Sequence, residues 1–248
     1  MTSLLWIIGA VALVLLALIL YPKRRRPIAK KNRVATPSKP ARATQSPPIP
    51  LPPLDPIPKA KETAVAKWAI LDLQTTGLNT NEGKEARIVE ASWAILDEDY
   101  RLITRHTYRV RQQDASSPEA VHIHGITDTL HTPFSITEEE LLERWFSDLS
   151  EDITLVGHNI AFDLAILLGT VRRLTPERIA PLEKLPTFCT MTYLCTSPEI
   201  RYPRLVHLTE ELTGIPPQLF FTLHPVSWRN VYFTRLCLIH LNSPQKAN

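Results

Sequence analysis

Residues 68–77, WAILDLQTTG, decide how this chain folds. The mostly apolar run WAILDL followed by the turn signal Thr75, Thr76 and Gly77 predicts a buried β-strand that ends in a turn. Because residues two apart on a strand face the same side, the side chains of Asp72 and Gln74 project together from its end. A pair of acids at such a place commonly holds Mg²⁺, which prefers oxygen ligands. Here the second member of the pair is an amide.

The segments around this strand predict an α/β domain. Thr137, followed by three glutamates, is typical of a helix N-terminus. Three strands in a meander, then strands that alternate with helices, favour a mixed five-stranded sheet with one antiparallel edge, flanked by helices. The further predicted strands are 88–96, 102–110, 154–156 and 187–191, and the predicted helices include 162–173 and 226–241.

The N-terminal region has the composition of a membrane anchor. Residues 4–20 carry no charge and would extend about 26 Å as a helix, close to the roughly 30 Å of a hydrocarbon core. No Lys or Arg precedes this run and no small-x-small site follows it, which favours an anchor over a cleaved secretory signal. The cations of residues 23–26 then predict a single-pass membrane protein with its N-terminus outside and its folded domain in the cytoplasm.

Charge is segregated along the chain. Residues 22–66 contain 11 of the 22 prolines, 11 Lys or Arg and 2 acids, a net charge of +9 that predicts a disordered linker. The remaining 17 basic and 23 acidic residues give the folded domain about −6, which excludes a broadly basic nucleic-acid surface. The predicted organisation is an anchor (1–21), a linker (22–66), a domain (67–241) and a tail (242–248).

Several segments in order along the chain resemble one enzyme family. They cover nearly all of residues 67–241 and are similar to the DnaQ-like, DEDDh-type 3′-5′ exonucleases, so the resemblance implies an RNase H-like fold. The matching segments are DLQTTG at 72–77, IVEA at 88–91, HIHGIT at 122–127, VGHNIAFD at 156–163, and His224 with the residues that follow it.

The resemblance implies four carboxylates that bind two Mg²⁺ or Mn²⁺ ions, with a histidine as general base. Asp72 and Asp163 retain metal-ligand positions, and His224 retains the position of the base. Gln74 and Arg229 stand where the other two acids belong. No Asp follows Asp163 in the sequence, so a shifted alignment recovers no aspartate in the last helix.

These replacements predict weak or absent metal binding. Four acids would carry −4, whereas Asp72, Asp163 and Arg229 sum to −1. At 4 Å and an effective dielectric near 20, one unit charge is worth about 4 kcal/mol against another. We therefore expect two-metal hydrolysis to be lost or impaired. One hypothesis places the Arg229 guanidinium in an ion pair with Asp72 or Asp163, and the alternative leaves it a solvated helix residue. Without a metal-bound water, His224 has no proton to accept.

Three functions remain open. The first is a membrane-anchored exonuclease-like domain that binds a single-stranded nucleic-acid 3′ end or a nucleotide but hydrolyses it poorly. The second is an active exonuclease with an atypical metal set, and the third is a protein-interaction scaffold. The resemblance implies nucleotide contacts by Thr75, Thr76, Gly77, Leu78, His124, Asn159 and Phe162. Phe220, Phe221 and Trp228 could stack on bases or belong to the core.

Overall fold

The computed structural model describes residues 54–79, 85–127, 134–193 and 202–243. The predicted anchor at 4–20 and most of the predicted linker lie outside these ranges. Within them, no helix combines the length and the apolar character that a membrane crossing requires. The membrane topology therefore stays a prediction.

A mixed five-stranded sheet forms the centre of the domain, as predicted. Its order is β3-β2-β1-β4-β5. Strand β1 pairs antiparallel with β2 and parallel with β4, β2 pairs antiparallel with β3, and β4 pairs parallel with β5. The strands are β1 (Trp68–Thr75), β2 (Ile88–Leu96), β3 (Leu102–Arg109), β4 (Thr154–Gly157) and β5 (Thr187–Cys189).

Helices cover both faces of the sheet. Helices α2, α3 and α4 pack on one face, while α5, α6 and α7 pack on the other. Their bounds are α1 (Pro118–His124), α2 (Glu138–Asp148), α3 (Ile160–Leu174), α4 (Ile179–Glu183), α5 (Leu205–Thr213), α6 (Pro217–Phe220) and α7 (Val226–Asn242), with a 3₁₀ turn at Pro176–Arg178.

Local sequence explains where two of these helices begin or end. Helix α2 begins with a capping box, in which the Thr137 hydroxyl accepts from the Glu140 N–H and the Glu140 carboxylate accepts from the Thr137 N–H. Helix α1 ends at Gly125, whose φ of 72° favours glycine because a Cβ is strained there. Gly125 therefore turns the chain directly after the predicted site residue His124.

The alternation of side chains along β1 gives the sheet two different faces. Leu71 and Leu73 point to the face covered by α2 and α3, and Ile70 points to the face covered by α7. Asp72 shares the face of Ile70, since the two are separated by two positions. The polar end of β1 is thereby held under the start of α7.

The folded domain begins earlier than residue 67, which corrects the predicted linker boundary. Ile57 is 8% exposed and belongs to the core beneath α7. The Tyr232 hydroxyl donates to the Asp55 carbonyl at 2.7 Å, and Leu102 exchanges backbone hydrogen bonds with Pro58 and Ala60. Ile57 is one of the few apolar residues in this proline-rich segment, and the composition of the segment did not predict that it is buried.

Candidate active site

A row of polar side chains crosses the sheet beneath α7. Asp72 and Gln74 on β1 lie opposite Ser92 and Glu90 on β2 in the antiparallel register. Paired residues in such a register point to the same face, so all four side chains face the N-terminal part of α7. The sequence motifs predict the first two of these as site residues and do not distinguish the other two.

Asp72 is surrounded by amides. Its Oδ2 accepts a hydrogen bond from Nε2 of Gln74 at 2.6 Å, and its Oδ1 accepts one from Nδ2 of Asn230 at 3.0 Å. Burial raises the pKa of Asp72 to about 7, against the lowering effect of the two amides, while Glu90 raises it further and Arg229 lowers it. Both oxygens of this carboxylate are thus satisfied by N–H donors from protein side chains.

Asp163 connects helix α3 to the sheet. It lies in the first turn of α3, is 4% exposed, and accepts the Leu73 N–H on Oδ1 at 2.8 Å. Burial raises its pKa well above the usual value, and the neighbouring Asp72 carboxylate raises it further. The structure therefore brings together the two carboxylates that were predicted as metal ligands.

Glu90 is the acid that sequence analysis missed. It is 1% exposed and lies in a strand that is buried along its whole length. Its Oε1 accepts from both the N–H of Ser227 at 3.1 Å and the Ser227 hydroxyl at 2.6 Å, and Nε of Arg109 lies 2.8 Å from its Oε2. An acid inside a strand that is buried along its whole length indicates such a partner, because a buried charge is costly unless paired.

The Ser227 hydroxyl also contacts the Ser92 hydroxyl at 2.7 Å, so the first turn of α7 is attached to β2 at two residues. Asn230 follows three positions later on the same helix and reaches Asp72. Residues three apart share a helix face, which explains why the attachment of Ser227 directs Asn230 toward the sheet.

Asn230, and not Arg229, contacts the Asp72 carboxylate. The Arg229 guanidinium lies over the rings of Phe220 and Phe221, with its Cζ 4.8 Å and 5.4 Å from their centroids. It forms no ion pair with Asp72 or Asp163, so the hypothesis of an ion pair is wrong. Because the side chain is half-buried against these rings, it is not the solvated helix residue of the alternative either. The sequence pattern places Arg229, five residues after His224, at the metal-ligand position, whereas the residue that contacts Asp72 is Asn230, one position later. An alignment with one extra residue after His224 would have found Asn230, the amide counterpart of Asp.

His224 is exposed and lies just before α7, next to Pro225. The structure places it at the same end of α7 as Asn230. Its role as a general base stays a prediction.

Six of the seven predicted nucleotide contacts line one cavity. Its volume is about 500 Å³, and Gln74 lies on its wall, so the cavity begins next to Asp72. Leu78 and Ile123, both more than two-thirds exposed, are apolar side chains that also line it. Of the predicted contacts, Thr75, Thr76, Gly77, Leu78, His124 and Phe162 line this cavity. Asn159 is not among the lining residues, and instead precedes α3 with a φ of 73°.

His124 stabilises the wall of this cavity. Its Nδ1 accepts the Ile126 N–H at 2.9 Å, so the ring proton lies on Nε2, which donates to the Thr75 carbonyl at 3.1 Å. Burial lowers the pKa of His124, which keeps the ring neutral at physiological pH. The Ser117 N–H donates to the Thr76 carbonyl at 2.7 Å, which joins the start of α1 to the end of β1.

The donor set does not fit a two-metal centre. The candidate ligand side chains at this site are the carboxylates of Asp72 and Asp163 and the amides of Gln74 and Asn230, and both amides direct N–H groups at Asp72. In the parts of the chain that the structure describes, no three His, Cys, Asp or Glu side chains lie close enough together to hold a metal ion.

Comparison with known proteins gives the same fold. The family described as exonuclease matches residues 69–214, a match that ends before His224 and α7. Zinc-bound E. coli exonuclease I in complex with ssDNA superposes with a TM-score of 0.55 at 18% identity, and covers 73% of this chain. Its complex with a dA16 oligonucleotide gives 0.57 at 18% identity and 73% coverage. The match spans only 41% of the exonuclease I chain in both cases.

Exonuclease X in complex with 5′-overhanging duplex DNA matches at 25% identity with a TM-score of 0.46, over 70% of this chain and 90% of its own. No curated protein matches the sequence.

Proposed function

Because this chain belongs to the DnaQ-like exonuclease family, we propose that it binds the 3′ end of a single-stranded nucleic acid, or a nucleotide, in the cavity beside Asp72, and that its two-metal hydrolysis is lost or impaired. The observation that carries this proposal is the hydrogen bonding of Asp72. Each of its carboxylate oxygens accepts an amide N–H, one from Gln74 and one from Asn230.

Binding is supported by the cavity. Its walls are largely apolar and include the side chains of Leu78, Ile123 and Phe162, surfaces on which a base can rest. The backbone at Thr75 and Thr76 is held by hydrogen bonds to His124 and Ser117, so the pocket is built before a ligand arrives. The exonuclease I structures are complexes with single-stranded DNA, and we propose the same class of ligand here.

Impaired hydrolysis is supported by the charge of the site. Replacing two acids by amides removes two negative charges that would hold divalent cations, each worth about 4 kcal/mol against a unit charge at 4 Å and an effective dielectric near 20. Because both amide N–H groups are committed to Asp72, a cation would also have to break hydrogen bonds to a half-buried carboxylate. The family's metal ions would supply an activated water and charge neutralisation, and this donor set opposes both.

Restoring the two acids tests this proposal. The full chain is incubated with 5′-fluorescein-labelled ssDNA and ssRNA in Mg²⁺, in Mn²⁺ and in EDTA. We expect the unmodified chain to bind in EDTA without shortening the oligonucleotide in any condition. The variant Gln74→Glu, Asn230→Asp is expected to gain metal-dependent shortening from the 3′ end, because it restores both carboxylates around Asp72.

The matched control is Gln218→Glu, Asn242→Asp, which adds the same charge at two exposed amides outside the site. Adding Asp72→Ala to the restored variant is expected to abolish the gain. Metal-dependent shortening by the unmodified chain, lost in Asp72→Ala, would establish an active enzyme with an atypical site. Absence of oligonucleotide and nucleotide binding would favour a protein-interaction scaffold.

A further inference from the structure

We infer that Arg229 binds a phosphate of the nucleic-acid strand and thereby supplies, without a metal ion, the positive charge that this site needs. The inference rests on the proposed binding function and deepens it, since it names the group that is recognised and the residue that recognises it. It is carried by the position of the guanidinium and by its hydrogen-bonding capacity.

The guanidinium is held on an aromatic platform. Its Cζ lies 4.8 Å from the centroid of Phe220, whose ring stacks on Phe233 at 4.6 Å and meets Phe221 edge to face at 5.3 Å. Phe220 is 5% exposed and Phe233 is fully buried, so the surface beneath the cation belongs to the core. Stacking of this kind orients a guanidinium while leaving its edge available.

The same side chain lies close to the acid at the centre of the site. Nε of Arg229 donates to Oδ1 of Asn230 at 3.5 Å, and Asn230 donates to Asp72. Burial lowers the pKa of Arg229 below its usual value, and the nearby Asp72 carboxylate partly offsets this lowering. A phosphate bound beside Asp72 is therefore within the field of this cation.

Most donors of Arg229 are unused within the described part of the chain. A guanidinium has five N–H donors, and here only Nε has a hydrogen-bond partner. Arg173 and Arg109, by contrast, contact the carboxylates of Glu138 and Glu90. Four N–H groups of the half-buried Arg229 guanidinium therefore have no partner among the described residues, and none of the described carboxylates pairs with it. Such a guanidinium suits the paired oxygens of a phosphate.

Electrostatics explains why the site needs this residue. A phosphate approaching Asp72 and Asp163 without metal ions meets two acids and is repelled by their ionised forms. Arg229, on α7, is a cation close enough to interact with Asp72, and it forms an ion pair with neither acid. Because Arg229 forms no ion pair with either carboxylate, its remaining N–H groups are available to a ligand.

The test measures the affinity of the full chain for 5′-fluorescein-labelled (dT)₁₀ in EDTA by fluorescence polarisation, over a range of NaCl concentrations. We expect Arg229→Ala to weaken binding by about tenfold or more, as for the loss of a charge-assisted hydrogen bond. The slope of log affinity against log salt is expected to fall by about 0.7, the contribution of one phosphate contact on a single strand. Arg229→Lys keeps the charge and is expected to retain the salt slope while losing part of the affinity.

The matched control is Arg178→Ala, because Arg178 also lies over a phenylalanine ring, at 5.0 Å from the centroid of Phe146, but on a helical turn outside the site. It is expected to bind as the unmodified chain does. Competition with dTMP shows which phosphate Arg229 contacts. If dTMP displaces labelled (dT)₁₀ at concentrations similar to those of unlabelled (dT)₁₀, the contact is to the terminal nucleotide. If dTMP displaces it only weakly, the contact is to the phosphates of the strand. Unfolding temperatures show whether each variant is folded.

Equal affinity and equal salt slope in Arg229→Ala and the unmodified chain would overturn the inference while leaving the proposed function intact. Equal losses in Arg229→Ala and Arg178→Ala would also overturn it, because the effect would then be one of general charge. If the unmodified chain binds only when Mg²⁺ is added, the metal-free role is wrong. If it binds neither (dT)₁₀ nor dTMP in any condition, the proposed function itself fails.

Discussion

The amides of Gln74 and Asn230 show how an N–H₂ group in place of a carboxylate oxygen changes the site around Asp72. Glutamine and asparagine have nearly the shape of the acids they replace, but each presents an N–H₂ group where a carboxylate would present a lone pair. The geometry around Asp72 survives this exchange, because the two amides donate to its oxygens at 2.6 Å and 3.0 Å. We therefore expect the fold to be kept and the affinity for cations to be reduced.

The raised pKa values of Asp72 and Asp163 predict a distinctive dependence of stability on pH. An acid whose pKa rises from 3.8 to about 7 on folding binds a proton more tightly in the folded state. The folded state then holds more protons than the unfolded state between these values, so the free energy of unfolding falls as pH rises from about 4 to 7. Asp163 acts in the same direction.

Replacing Asp72 by Asn is expected to flatten this dependence, by at most about 1.4 kcal/mol per pH unit for one proton. The variant also removes the charge that raises the pKa of Asp163. Urea unfolding at several pH values measures the effect, with the exposed Asp152→Asn as control. An unchanged slope in Asp72→Asn would show that Asp72 titrates with an ordinary pKa.

At the scale of elements, the start of α7 is aligned by the sheet. Glu90 on β2 receives two hydrogen bonds from Ser227, and Arg109 on β3 lies against its other oxygen. Three elements thus meet at one buried carboxylate. This junction sets the rotation of α7 and hence which of its residues faces Asp72.

Ser227→Ala is expected to destabilise the domain by about 1–3 kcal/mol, because Glu90 and Ser92 lose a buried hydrogen-bond partner. Chemical denaturation measures the change. Ser147→Ala, at an exposed serine of α2, is the control and is expected to change stability by less than about 0.5 kcal/mol. A loss of oligonucleotide affinity in Ser227→Ala, at temperatures where it is folded, is also expected because Asn230 and Arg229 follow on the same helix. Equal stabilities of the two serine variants would contradict the role of this junction.

At the scale of the whole molecule, the packed domain includes a segment that composition assigned to the linker. Ile57 lies in the core beneath α7, and the backbone of Pro58 and Ala60 pairs with Leu102 at the edge of β3. The segment covers part of an otherwise open sheet edge.

We expect Ile57→Ala to lower the free energy of unfolding by about 2–4 kcal/mol, as for removal of a buried aliphatic side chain. For a domain of this size that corresponds to a fall of roughly 4–16 °C in unfolding temperature. Val65→Ala, at a side chain that is 79% exposed, is the control and should leave that temperature nearly unchanged. Equal unfolding temperatures for the two variants would show that the segment is not part of the cooperative domain.

Much of the architecture could be predicted because it is encoded locally. The strand at 88–96 has the predicted bounds, and a helix begins after Thr137 as predicted. Helix α3 begins at Ile160, two residues before its predicted start, because Asn159 turns the chain with a positive φ that no local pattern indicated. The short helices α1, α4 and α6 were not predicted, since four to seven residues carry too little periodicity to identify a helix.

The sequence by itself determined the order of the five strands and of helices α2, α3 and α7, the two acids at Asp72 and Asp163, and the amide at position 74, because hydrophobic periodicity, turn residues and motif spacing are properties of neighbouring residues. Only the tertiary structure decided that Asn230 donates the second hydrogen bond to Asp72 and that the Arg229 guanidinium lies over the ring of Phe220. These contacts join residues more than 150 positions apart in one case and depend on the rotation of α7 in both. That rotation is set by the buried carboxylate of Glu90, whose partners come from β3 and α7, and no local pattern specifies it.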